Sequence, residues 1–304
     1  MTVGLAPNVG VILPYGSGVV TSPRLLRDFL AAAEEVGVES VWAVEHVVIA
    51  DGYEPRYPYS PDGRMPSGNV VVPMPDPLEL LAFAAAVTER LVLGTAVVVA
   101  PLHSPTVLAK RAATVDRLCE GRLRLGLGIG WQVEEYAAVG AAFSERGARL
   151  EESIAAMRAL WAGSPATFHG RFTSFDRVHL APQPAAGTVP IVLGGNSSAA
   201  VERCARVGDG WFPYTIDPDA FALGVGAVRR GERDAGRPAG AVEVTAWPGS
   251  FDPTRDTDAA LAARYVAAGA DRLVLRPDLS GERPLDTFRR QVTGYREAVA
   301  GLAS

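Results

Sequence analysis

The chain has 304 residues, of which 48% are hydrophobic and 21% charged, with a formal net charge of −5. That supplies apolar material for a full core, and the length suits one barrel domain of about 250 residues as well as two smaller ones. The acidic balance argues against a general binder of nucleic acid or of anionic membranes.

The first residues lack the basic start and small-residue cleavage site of a secretory signal. The longest apolar run, 91–101, is about half of a membrane span. Cys119 and Cys204 stand alone, without metal or disulfide spacing, and read as small buried side chains. The expectation is a cytoplasmic protein with no metal, nucleic-acid or membrane partner.

Short apolar runs alternate with longer amphipathic segments, the pattern of parallel strands joined by helices. Strands are predicted at 9–13, 40–44, 91–99, 122–127, 190–193, 210–212, 242–246 and 272–275. Helices are predicted at 22–36, 77–88, 105–119, 149–161, 197–207, 217–235, 257–268 and 285–299. Thr21-Ser22-Pro23 and Asp76-Pro77 supply caps with proline in the first turn. Eight strand–helix units suit a closed (β/α)8 TIM barrel, an α/β fold, better than an open sheet. The whole chain, 1–304, reads as one domain with two excursions. Residues 47–75, rich in Tyr, Pro and Gly, form a candidate lid loop at the C-terminal face. Residues 163–188 contain a candidate inserted hairpin.

The run Leu125-Gly126-Leu127-Gly128-Ile129-Gly130-Trp131 follows a strand and precedes a helix. A dinucleotide fold would need an acidic residue at the end of the next strand, about 20 residues on. That distance lands in a helix, at Glu151 and Glu152. Glycines at a strand end either let backbone approach a flat ligand or simply make a tight turn. Pro190 to Leu193 runs into Gly194-Gly195-Asn196-Ser197, where free N–H groups and a helix dipole favour an anion. The alternative there is a plain turn with Asn196 or Ser197 as cap. Glu45-His46 ends the second strand, so both side chains reach the catalytic rim. An imidazole there can move a proton near neutral pH, or be structural. His103 reads as a helix cap, and His169 and His179 fall in the hairpin region.

In this order the pieces resemble the luciferase-like monooxygenase family. The resemblance rests on Ala33-Glu34-Glu35-Val36-Gly37-Val38-Glu39-Ser40-Val41-Trp42 leading to Glu45-His46, and on Arg90-Leu91-Val92-Leu93-Gly94-Thr95. Further on it rests on Asp116-Arg117-Leu118-Cys119-Glu120-Gly121-Arg122, Gly128-Ile129-Gly130-Trp131, Gly194-Gly195 and Gly208-Asp209-Gly210-Trp211. Tyr57-Pro58-Tyr59-Ser60-Pro61-Asp62-Gly63 and Pro75-Asp76-Pro77 look like the branch that uses coenzyme F420, a deazaflavin.

The resemblance implies an oxidoreductase with the cofactor ring over the strand ends. It implies a cis peptide at Ala96–Val97, ring contacts from Gly128, Gly130 and Trp131, and phosphate contacts from Gly194, Gly195 and Asn196. It makes His46 the favoured acid, beside Glu45, with Glu134 and Glu135 as lesser candidates. Trp42, Tyr57 and Tyr59 would shape an apolar pocket, and Arg203 or Arg206 would line a path for the cofactor's acidic tail. Family habit also implies a homodimer. Two departures stand out: Glu45 replaces the usual Asp, and Trp131 replaces the glutamate of the sugar-phosphate dehydrogenases. The rival readings are an FMN-dependent monooxygenase fed by a separate reductase, and a flavin-binding protein without turnover.

Overall fold

The structure is a computed structural model and describes residues 6–65 and 72–303; part of the predicted lid, 66–71, lies outside them. Strand β1 (Asn8–Ile12) leads to helix α1 (Pro23–Glu35), and β2 (Ser40–Ala43) leads across the long loop to α2 (Pro77–Val87). β3 (Val92–Thr95) and β4 (Val98–Val99) are two halves of one interrupted strand, followed by α3 (Pro105–Leu118). After β5 (Leu123–Gly128) come a short α4 (Val133–Ala138) and the longer α5 (Arg146–Ala162). The predicted hairpin is present as β6 (Ala166–His169) and β7 (Ser174–Val178), paired antiparallel. The chain then runs β8 (Ile191–Leu193), α6 (Ser198–Val207), β9 (Gly210–Trp211), α7 (Pro218–Asp234) and β10 (Glu243–Ala246). It ends with α8 (Pro248–Phe251), α9 (Ala259–Ala267), β11 (Arg272–Leu275) and α10 (Pro284–Ala300).

Nine strand segments pair in the order β3-β2-β1-β11-β10-β9-β8-β5-β4, and β3 also pairs with β5, which closes the ring. Counting β3 and β4 as one, this is an eight-stranded parallel barrel, the predicted (β/α)8 fold. The predicted caps form: the Ser22 hydroxyl accepts from Leu25 N–H, and the Asp76 carboxylate accepts from Leu78 and Glu79 N–H. Two expectations change. The apolar run at 91–99 is not one strand but breaks at Ala96–Val97, and α5 begins at Arg146, three residues earlier than its amphipathic pattern suggested. No helix among the described residues is long and apolar enough to cross a membrane.

Alternating strand residues divide the core into two layers, as the period of two requires. Val11, Val41, Leu93, Leu125, Leu193, Val244 and Leu273 face outward and pack with the helices. Ile12, Trp42, Val192, Phe212 and Val274 fill the barrel interior, with Tyr15, Ala96 and Trp247 half-buried on top of them. Trp42 is fully buried, and a side chain at Gly94 would run into its ring. Trp42 therefore belongs to the plug of the barrel and not to the wall of an open pocket beside Tyr57 and Tyr59.

Below that plug lies Arg272, 1% exposed. Its guanidinium grips Glu39 through two bonds of 2.7 Å, reaches Glu243 at 2.9 Å and Thr245 at 3.2 Å, and lies 5.4 Å from the Trp42 ring centroid. A planar fork with five donors suits this site, because each buried N–H needs an acceptor. Burial works to raise the Glu39 carboxyl, but the Arg272 hydrogen bonds and charge outweigh it and hold the group below its usual range.

Arg272→Met should cost about 3 kcal/mol at neutral pH, because two carboxylates lose their cation. Glu39's share of stability is complete above its ordinary value and is lost as pH falls through the depressed folded value. Urea denaturation should therefore show the gap between wild type and R272M narrowing below about pH 4.5. Parallel pH curves would show that the pair does not carry this stability.

Candidate active site

In a parallel barrel all strands end on one face, and the loops there carry the chemistry. The end of β2 is fastened to that face residue by residue. The Tyr15 hydroxyl, just past β1, accepts Val44 N–H at 2.9 Å. Glu45 is 7% exposed; its carboxylate accepts Val99 N–H at 2.6 Å and meets His103 Nε2 at 3.0 Å. His46 Nδ1 lies 3.1 Å from the carboxylate of Glu135, which is fully buried on α4. The same carboxylate accepts Val47 N–H at 2.6 Å and Val48 N–H at 3.4 Å. Against an acceptor-only carboxylate the proton belongs on Nδ1, which leaves Nε2 of His46 as the working nitrogen.

Two expectations change here. His103 caps the short 3-10 turn Ala100–Leu102 through its backbone N–H and not α3, whose N-cap is Ser104, and its imidazole braces Glu45. Glu134 and Glu135 are both tied down, Glu135 to His46 and its neighbours, and Glu134 to the lid through Glu54 N–H at 3.0 Å.

The peptide Ala96–Val97 is cis, as the resemblance implied, and both residues are half-exposed at the mouth above the interior plug. The glycines of β5 answer to this kink. A Cβ at Gly126 would collide with the backbone oxygen of Thr95, and one at Gly128 would lie 2.5 Å from Val97 Cγ2. A Cβ at Gly194 would lie 3.3 Å from Val97 Cγ1, and one at Gly130 would lie 2.7 Å from Val99 Cγ1. Their missing side chains thus make room for the broken third strand, a packing reason that the sequence did not disclose.

An aromatic chain crosses the mouth. Trp131 meets His46, Tyr53 and Tyr57 edge-on at 6.0, 5.1 and 5.2 Å between centroids. Tyr57 meets Tyr59 at 5.4 Å, Tyr59 meets Tyr214 at 5.0 Å, and Tyr214 meets Trp247 at 5.6 Å. Tyr57 and Tyr59 come from the predicted lid, so the described part of that loop spans the opening. Burial, reinforced by Tyr214, raises both phenols above their ordinary value, so they stay neutral. Lid shape is set by Tyr53, whose hydroxyl accepts Met65 N–H at 2.9 Å, and by Tyr57 N–H donating to Gly63 O at 2.8 Å.

At the β8–α6 turn Gly195 has φ +103°, and the Ser197 hydroxyl caps α6 through Ala200 N–H. The Asn196 amide donates to Tyr214 O at 2.7 Å, while its own oxygen is buried without a partner among the described residues. Arg203 and Arg206 do not line a path from this turn; both pair with Glu151 on α5, at 3.0 and 2.8 Å. Gln132, for which the sequence carried no signal, is 1% exposed with neither amide atom matched among the described residues. Each such buried group costs about 1–3 kcal/mol until something pairs with it. Cys204 is buried and its thiol pushed up to about 12, an inert side chain.

Gly126→Ala should prevent stable folding, since backbone must move. Gly128→Ala should cost about 1–3 kcal/mol and be largely rescued by Val97→Ala, a coupling read from thermal melts of the double-mutant cycle. Additive effects would disprove the Val97–Gly128 fit.

Residues 7–299 match the family model for luciferase-like monooxygenases. The F420-dependent glucose-6-phosphate dehydrogenase of Nakamurella multipartita is 32% identical over 276 residues, 88% of this chain and 74% of the relative. Among solved structures, an F420-dependent secondary alcohol dehydrogenase with an F420–acetone adduct superposes with a TM-score of 0.73 at 17% identity, covering 97% of this chain and 98% of the other. The long-chain alkane monooxygenase LadA gives 0.75 at 14% identity, covering 98% and 96%. With its closed barrel, interrupted third strand and rim histidine, the chain belongs to the luciferase-like monooxygenase family.

Proposed function

We propose that the protein is an F420-dependent oxidoreductase that exchanges hydride between the deazaflavin and a small organic substrate. The observation that carries this reading is His46, held by Glu135 at the open end of the barrel, beside Ala96–Val97 and under a neutral aromatic wall. Relatives and fold neighbours named as F420-dependent support the cofactor.

The residues present fit such a group. The unmatched oxygen of Asn196 wants a donor, as a hydroxylated cofactor side chain provides, and the first turn of α6 suits its phosphate. Gly194, Gly195 and Asn196 would hold that end, and Ala96, Val97, Gly128, Gly130 and Trp131 would line the ring. When bound, the deazaflavin supplies the hydride chemistry. His46 would donate a proton or hydrogen bond from Nε2 to the substrate oxygen, where charge develops. Glu45 and Glu135 act as positioning residues: one ties the rim to β4, the other sets the tautomer of His46. The aromatic wall would keep water from the reacting atoms.

Titration of the apo-protein with F420 and with FMN, followed by tryptophan fluorescence, tests the cofactor. Micromolar F420 binding with much weaker FMN binding is expected. The reverse preference would overturn the reading in favour of an FMN monooxygenase with a reductase partner.

His46→Ala should lower turnover by about 10²-fold or more while F420 still binds. Glu135→Gln sets an N–H2 group against Nδ1 and so favours the wrong tautomer; kcat should fall by at least about tenfold with little change in KM. Deazaflavin absorbance against a panel of alcohols and carbonyl acceptors reads both. Unchanged turnover in H46A would remove His46 from the chemistry.

A further inference from the structure

A second polar pocket lies outside the aromatic wall, between the start of α3, the first turns of α5 and the hairpin loop. It encloses about 390 Å³ and is lined by Ser104, Thr106, Arg149, Ser153, Phe172 and Thr173 among others. What marks it is the state of its donors. Ser153 is 3% exposed and its hydroxyl bonds to nothing among the described residues. Arg149 spends one nitrogen on Glu145 at 3.3 Å and stacks 4.4 Å over the Phe172 ring, but its Nε is buried with no acceptor. Helix α3, 14 residues long, begins with no side-chain cap bond from Ser104 and no acid in its first turn.

Those features define the occupant. A guanidinium nitrogen and helix N–H groups can only donate, so the occupant must accept several hydrogen bonds at once. The positive helix end and the arginine both favour negative charge. The neighbouring carboxylates are already satisfied. Glu152 accepts Arg171, Phe172 and Thr173 N–H at 2.7, 2.6 and 2.6 Å, which also pins the hairpin over the pocket. Glu145 takes Arg149 and Arg171, and Glu45 takes Val99 N–H and His103, itself a lining residue.

By contrast, the groove of about 600 Å³ between α6 and α7 is walled by Leu223, Phe251 and the exposed acid Glu202. It also takes in Asn196 and Ser198, so its polar end belongs to the α6 turn already described.

We propose that the α3–α5–hairpin pocket is an anion-binding site for a phosphate or carboxylate group, separate from the α6 turn. It stands on its own donors, whatever cofactor the barrel holds. The shared chemistry has two sources, the acidic tail of the deazaflavin or a separate anionic metabolite.

Calorimetric titration of the whole protein with inorganic phosphate and with glutarate tests the site, using wild type, Arg149→Gln, Ser153→Ala and Asn196→Ala. Arg149→Gln should weaken binding of one of these anions by about tenfold or more and Ser153→Ala by several-fold, because each removes a bond to a charged group. Asn196→Ala reports the α6 turn: anion binding that it removes and that both pocket variants leave belongs to that turn and not to the pocket. Ser153→Ala is a small truncation, so it keeps the test decisive if the arginine variant folds poorly. A parallel titration with F420 and with its tail-less deazaflavin core separates the sources. Loss by R149Q for F420 alone identifies the tail; anion binding lost with F420 affinity kept identifies a separate metabolite. Anion binding that survives both pocket variants, or that is absent from wild type, overturns the proposal. Failure of F420 to bind would count against the proposed cofactor and leave the anion result standing.

Discussion

Everything at the mouth of the barrel hangs on how the residues just past β2 are satisfied. A chain leaving a sheet carries N–H and C=O groups that must find partners or stay wet. Here Val44 turns to Tyr15, Glu45 to Val99 and His103, and residues 46–48 to the single carboxylate of Glu135. Four neighbours, from the end of β1, from β4, from just before α3 and from α4, thereby converge on one short segment. Loss of one carboxylate would release two N–H groups and an imidazole together, so the network fixes the histidine more firmly than any pairwise bond could. His46 can be rigid without being buried because its supports are.

The interrupted third strand imposes the complementary constraint from inside. Strands with side chains at every position could not surround both Trp42 and the turned-in Val97. Gly94 gives way to the Trp42 ring, Gly126 to the Thr95 carbonyl, and Gly128 and Gly194 to Val97. The interior is therefore filled by a few large groups among glycines, and not by an even layer of branched side chains. The same glycines leave backbone, instead of side chains, at the rim where the proposed cofactor ring would lie.

The barrel was legible because its signal is local: runs of apolar residues at strand spacing, capped helices, and a count of eight. The break at Ala96–Val97 left no mark in the run 91–99, which is apolar throughout; only likeness to a family pointed to it. His46 was legible because a strand end faces the catalytic side whatever follows. Glu135 was not legible as its support, since the two are separated by 89 residues and α4 is too short to show a period. Trp42 was misplaced for a related reason. It was expected to shape an apolar pocket with Tyr57 and Tyr59, yet the pleat turns it into the barrel, where Ser40 takes its indole N–H at 2.9 Å.

The distribution of charge has a chemical logic. At the mouth the ring contacts are aromatic, and its tyrosines stay neutral because burial opposes the phenolate. Glu45 is paired with His103, Glu135 with His46, and Arg203 and Arg206 with Glu151. Beyond His103 the character reverses, with uncommitted hydroxyls and Arg149 around a polar pocket. A low-dielectric mouth strengthens whatever hydrogen bond His46 makes to developing charge, but it could not also bind an anionic handle without paying that handle's desolvation. With the proposed anion's donors behind the aromatic wall the conflict would be resolved: binding energy would be gathered where water and charge are tolerated, and proton movement confined to where they are not.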